Sequence, residues 1–131
     1  MTRAHAHSRP AVLVVDDDTA VSTTLMWVLR QNGYHSTVAR THAEALRSCA
    51  KQVPDLALIE MNLPDALGIQ AACELHRLLP ACKLLLMSSD PEAGESFRQA
   101  QAAGLEGALI PKPIPVEELL QRVKEALAQP A

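Results

Sequence analysis

Five short apolar runs punctuate the chain: Ala11–Val15, His35–Arg40, Leu56–Glu60, Lys83–Met87 and Gly107–Pro111. Each is bounded by polar or turn-forming residues and is too short for a typical helix. They read as strands, and the nearly unbroken ones as strands covered on both faces. His35–Arg40 is the most polar and belongs at or near a sheet edge. The stretches between and after them change period. Val21, Leu25, Val28 and Leu29 mark one helix face, started by Asp18 or Thr19 and stopped by Asn32-Gly33. Thr41 caps a second helix through about Gln52, expected to bury Ala43, Leu46, Cys49 and Ala50. Ile69–Leu79 carries Ala72, Leu75 and Leu79 on one side. Pro91–Ala103 is Ala-rich with Phe97 as its large anchor, and Val116, Leu119, Leu120, Val123 and Leu127 stripe the last helix.

Strand followed by helix, five times over, predicts an α/β fold: a doubly wound five-stranded parallel sheet with helices on both faces. Periodicity alone does not give the strand order. A chain of 131 residues has room for one such domain, taken here as 11–128, with a flexible tail at 1–10 and a short end at 129–131. His5 and His7 in that tail form a two-ligand pair, too few for a metal site.

Composition narrows the function. Hydrophobic residues make up 48% of the chain, yet only Trp27, Tyr34 and Phe97 are aromatic, which argues against a base-stacking surface. A formal charge of −3 offers no general attraction to nucleic acid or to anionic membranes. Cys49, Cys73 and Cys82 lack C-x-x-C spacing and read as thiols of a reducing, cytoplasmic protein, with no signal peptide or membrane span in the chain. Trp27 lies off its apolar stripe, and His42 and His76 sit on helices without an evident metal or relay partner.

The chemistry collects at the strand ends. In a parallel sheet Asp16, Asp17, Glu60, Ser88 and Lys112 all fall on the carboxyl edge, where open α/β sheets place their sites. Three carboxylates brought together there need a cation, and hard oxygen donors suit Mg²⁺. A lysine and a hydroxyl opposite them suit a phosphoryl-like anion.

VLVVDDD (12–18), LIEMNLPDALG (58–68), LLLMSS (84–89) and PKPI (111–114), in that order, resemble the receiver domain of bacterial response regulators (CheY-like) over about Ala11 to Leu127. The resemblance implies a flavodoxin-like strand order 2-1-3-4-5 and a phosphorelay role in a two-component system, with no catalytic residues of an enzyme. By position it makes Asp16, Asp17, Glu60 and the Asn62 carbonyl the metal ligands for Mg²⁺ and Glu60 the phospho-acceptor position. Ser88 becomes the switch hydroxyl, Lys112 the phosphoryl-anion contact, and Lys112–Pro113 a cis peptide. Its implied partners are a sensor histidine kinase or a downstream signalling protein, met on the fourth helix, fifth strand and fifth helix, and a second copy in a homodimer. Neither nucleic acid nor membrane is expected to bind this domain.

Three positions depart from the family pattern. Glu60 stands where the family carries aspartate and reaches about 1.5 Å further. An error near 1 Å in an attacking group costs on the order of 10²-fold, so conventional phosphorylation and Mg²⁺ binding are both expected to be weakened. The fifth strand offers Ala108 or Leu109 where an aromatic switch residue is usual, and Leu67 replaces a common acid. Two other readings stay open at this point. One is a pseudo-receiver acting through contacts alone. The other is a flavodoxin-like cofactor binder, disfavoured by the acidic 16–20 loop and the missing rings.

Overall fold

A computed structural model describes residues 9–130; the His5/His7 pair and most of the expected tail lie outside them. The elements are β1 (Ala11–Val15), α1 (Thr19–Gln31), β2 (His35–Ala39), α2 (His42–Lys51) and β3 (Leu56–Glu60). They continue with α3 (Gly68–Leu78), β4 (Lys83–Ser88), α4 (Ala93–Ala102), β5 (Ala108–Pro111) and α5 (Val116–Ala128). All strands pair in parallel in the order β2-β1-β3-β4-β5, so the polar β2 is an edge strand.

Period-two alternation along the central strands builds two cores. Leu13, Val15, Ala57, Ile59, Leu84 and Leu86 face α2, α3 and α4, meeting Ala45, Cys49, Ala72, Leu75 and Phe97. Val12, Val14, Leu56, Leu58, Leu85 and Met87 face α1 and α5, meeting Leu29, Leu119 and Val123. Strand β3 is buried along its whole length, which explains why it reads as an unbroken apolar run. Helix α1 ends at a Schellman turn: Tyr34 N–H donates to Leu29 O (3.1 Å) and Gly33 N–H to Arg30 O (3.3 Å). Gly33 takes the required left-handed conformation at φ +96°.

Several helix faces differ from the expected stripes. Helix α2 buries Ala45 and Cys49 and half-buries His42 and Leu46, whereas Ala43 and Ala50 are exposed. The inward stripe runs 42–45–46–49, and its first place belongs to a histidine that an apolar pattern skips. Val116 is exposed because α5 turns inward only from Leu119. Helix α4 begins at Ala93, two residues after Pro91. Asp90 first makes a turn, accepting from Glu92 N at 2.9 Å and Ala93 N at 3.1 Å. The three cysteines are unpaired, and burial pushes the Cys82 thiol up to about 12 and Cys49 in the same direction. Among the described residues, no helix is long and apolar enough to cross a membrane.

Candidate functional site

Each strand of the sheet's centre delivers its last residues to one edge. Asp16 follows β1 with 1% of its surface exposed, Glu60 closes β3 at 7%, and Ser88 closes β4 at 3%. Lys112 follows β5, where its backbone N–H donates to Ser88 O at 2.8 Å. From there its side chain crosses the edge. The ammonium donates to Asp16 Oδ2 at 3.2 Å and makes a short hydrogen bond to Glu60 Oε1. Two nearly buried carboxylates thus share one cation, which relieves the repulsion they would otherwise suffer in a poorly solvated place. Burial pulls the Lys112 ammonium down. The hydrogen bonds and charges of Glu60 and Asp16 outweigh it and hold the group above the ordinary lysine value.

The remaining carboxylate oxygens are also engaged. Asp16 Oδ1 accepts from Asp18 N at 3.0 Å, and Glu60 Oε2 accepts from Asn62 N at 3.2 Å. Asp18 caps α1 by accepting from Val21 N at 3.1 Å. Ser88 Oγ accepts from Asp90 N at 3.0 Å, and Lys112–Pro113 is cis.

Glu60 is held in place from behind. Gly68 N–H donates to Met61 O at 2.6 Å, and a Cβ on Gly68 would fall on the Glu60 carbonyl oxygen and the Met61 Cα. Only glycine lets α3 start this close to the strand end.

The sequence reading placed Asp16, Asp17, Glu60 and Asn62 around a metal. The structure brings Asp16 and Glu60 together but leaves Asp17 exposed, with Lys112 as the shared cation. Among the described residues, no three His, Cys, Asp or Glu side chains form a metal-holding group. Asp16 and Glu60 are hard oxygen donors of the kind Mg²⁺ takes, and in this arrangement they are engaged by the ammonium and by backbone amides.

One group of residues went unread in the sequence. Asp65, in the loop after β3, accepts from the backbone N–H of His42 at 2.9 Å and of Ala43 at 3.0 Å. His42 Nε2 lies 2.7 Å from Glu74 Oε1 on α3, so this histidine does have a partner. The contacts span 22 to 32 residues, beyond the reach of any local pattern.

Comparison with known proteins agrees with this fold. Residues 12–124 match the response regulator receiver domain, and the chain belongs to that family. It is 35% identical over 124 residues to the transcriptional regulatory protein PrrA of Mycobacterium tuberculosis, covering 90% of this chain and 50% of the relative. It is 34% identical over 124 residues to ZraR of Escherichia coli, covering 93% of this chain and 27% of that protein. The chain thus spans about half the length of PrrA or less of such relatives. A CheY-like receiver domain protein from Methanospirillum hungatei superposes with a TM-score of 0.84 at 30% identity, covering 92% of this chain and 94% of that one. The chain is therefore a receiver domain of the two-component type, a signalling module of flavodoxin-like fold.

Proposed function

We propose that this receiver signals through protein contacts, with its acceptor position occupied by an internal ion pair instead of a transferred phosphoryl group. One observation carries the reading: the Lys112 ammonium, the group that would meet a phosphoryl oxygen, is held by Glu60 and Asp16. The longer glutamate delivers its carboxylate to the lysine from the strand end. The domain has no turnover of its own on this reading. Its partners are a sensor histidine kinase or a downstream signalling protein of the cytoplasm, a compartment supported by three free cysteines. Residues 11–128 form the signalling unit.

Incubation with Mg²⁺ and acetyl phosphate, followed by intact-mass measurement, tests this. No phosphate adduct is expected on the parent chain, and Glu60→Asp is expected to acquire one. A stoichiometric adduct on Glu60 itself overturns the reading.

A second reading, the pseudo-receiver without metal chemistry, is favoured by one further observation. Asp17 stands apart, and the other two acids have no oxygen left unpartnered. Mg²⁺ titration followed by amide chemical shifts separates the two: saturable shifts at Asp16 and Asp17 favour the first, their absence the second.

A further inference from the structure

The first amides of a helix have no partners inside it. In α2 those of His42, Ala43 and Glu44 are accounted for. Glu44 N–H donates to the Thr41 hydroxyl at 3.0 Å, a cap supplied from within the helix's own sequence. The His42 and Ala43 amides both donate to the Asp65 carboxylate, at 2.9 and 3.0 Å. That cap comes from the loop between β3 and α3, the same loop whose Asn62 N–H donates to Glu60 Oε2. The loop is pinched by a bridge between Asn62 and Leu67 and closed by the bond from Gly68 N–H to Met61 O. At the same point the His42 ring reaches across to Glu74, tying α2 to α3.

We propose that Asp65 is a positioning residue: by capping α2 from outside, it latches the loop that presents Asn62 to the Glu60 carboxylate. Helix α2, the loop and α3 then move as one body, and the conformation at Glu60 is coupled to the α2–α3 side of the molecule. Such coupling is reciprocal, so a partner bound on that side is felt at Glu60 and a change at Glu60 is felt there. The latch deepens the reading of Glu60 as the signalling position. Its test needs no phosphoryl donor, so either can fail without the other.

The variant is Asp65→Asn, which keeps the shape but offers one carbonyl and turns an amide NH₂ toward the second N–H. Thr41→Ala is the control, since it weakens the same helix start without touching the loop. Both are followed by amide hydrogen exchange and ¹H–¹⁵N chemical shifts on the full chain. With Asp65→Asn, exchange at Asn62 and Gly68 is expected to rise about tenfold or more, together with His42 and Ala43, while the sheet amide of Leu58 keeps its protection. The Asn62 amide shift is expected to move as its bond to Glu60 loosens. With Thr41→Ala, Asn62 and Gly68 are expected to keep their parent values. The proposal is overturned if Asn62 and Gly68 do not respond to Asp65→Asn. It is equally overturned if Thr41→Ala changes them as much, or if Leu58 accelerates in step with them.

Discussion

The two flanks of the carboxyl edge are built differently. On the β3 side, Asp65 binds the loop to α2, Thr41 caps that same helix, and His42 joins it to Glu74 of α3, all through side-chain hydrogen bonds. On the β4–β5 side, α4 has no side-chain cap, its N-terminal turn rests on Asp90, and β5 presents Ala108 and Leu109 without a ring. The partner face that the resemblance implies, on the fourth helix, fifth strand and fifth helix, lies on that second flank. Here the first flank has the connected contacts, and Lys112 spans the gap between them through Asp16 and Glu60. The difference teaches that one acidic edge can be flanked by a side rich in side-chain hydrogen bonds and a side poor in them.

The largest effect is expected from Gly68→Ala. The added methyl meets the backbone of Glu60 and Met61, atoms that cannot step aside without moving β3. A loss of roughly 2–4 kcal/mol is expected, read as a lower urea midpoint. An unchanged midpoint would mean that α3 is free to slide away from the strand end, and the first flank would lose its claim to rigidity.

Next comes Lys112→Met. It leaves Asp16 and Glu60 facing each other without their cation, at a place where the lysine side chain is one-fifth exposed. Removing one partner of a fully buried pair costs 3–5 kcal/mol, and partial exposure brings this down to about 1–3 kcal/mol. Adding Glu60→Gln to Lys112→Met is expected to restore part of the loss. If the double variant is no better than the single one, repulsion between the acids is not the cause.

These two positions show what the sequence made legible. The strand ends announced themselves because buried runs such as Leu56–Ile59 stop at a charge, and parallel pairing sends all such ends to one edge. Gly68 was visible only as a loop residue, since its close approach to Glu60 exists only once α3 is docked. The buried face of α2 was misread for a different reason. Sorting residues into apolar and polar hides a histidine that takes the inward place on α2, and with it the stripe shifted by one position. Asp65 lies 22 and 23 residues from its amide donors and has no period to betray it. Orientation was not legible either: spacing locates three acids at an edge but does not say that Asp17 faces solvent.

Thr41→Ala sharpens the comparison at smaller scale. It removes one capping acceptor from α2 and is expected to cost about 1 kcal/mol in thermal or urea unfolding. A loss well above this would show that Thr41, and not Asp65, carries the helix start.

The smallest effect is a pH dependence that belongs to the first flank alone. The His42 and Ala43 amides, bonded to the Asp65 carboxylate, hold it below its usual range in the folded chain, and the nearby His42 ring adds to this. Unfolding removes those donors and returns the group to an ordinary carboxylate. The unfolded chain therefore binds the proton first as pH falls. The stability contributed by Asp65 is complete above the ordinary carboxylate pKa, roughly pH 4, and is lost as pH drops through the depressed folded value. Urea midpoints between pH 6 and pH 3 check this by difference, with Asp65→Asn as the comparison. The parent chain should lose its advantage over the variant only at the acid end. Glu74 faces the same junction in both proteins and so largely cancels in the difference, whereas the attraction between the His42 ring and the Asp65 carboxylate is part of what the difference reads. An advantage that stays constant across this range would mean that the carboxylate contributes shape but no charge to the helix start.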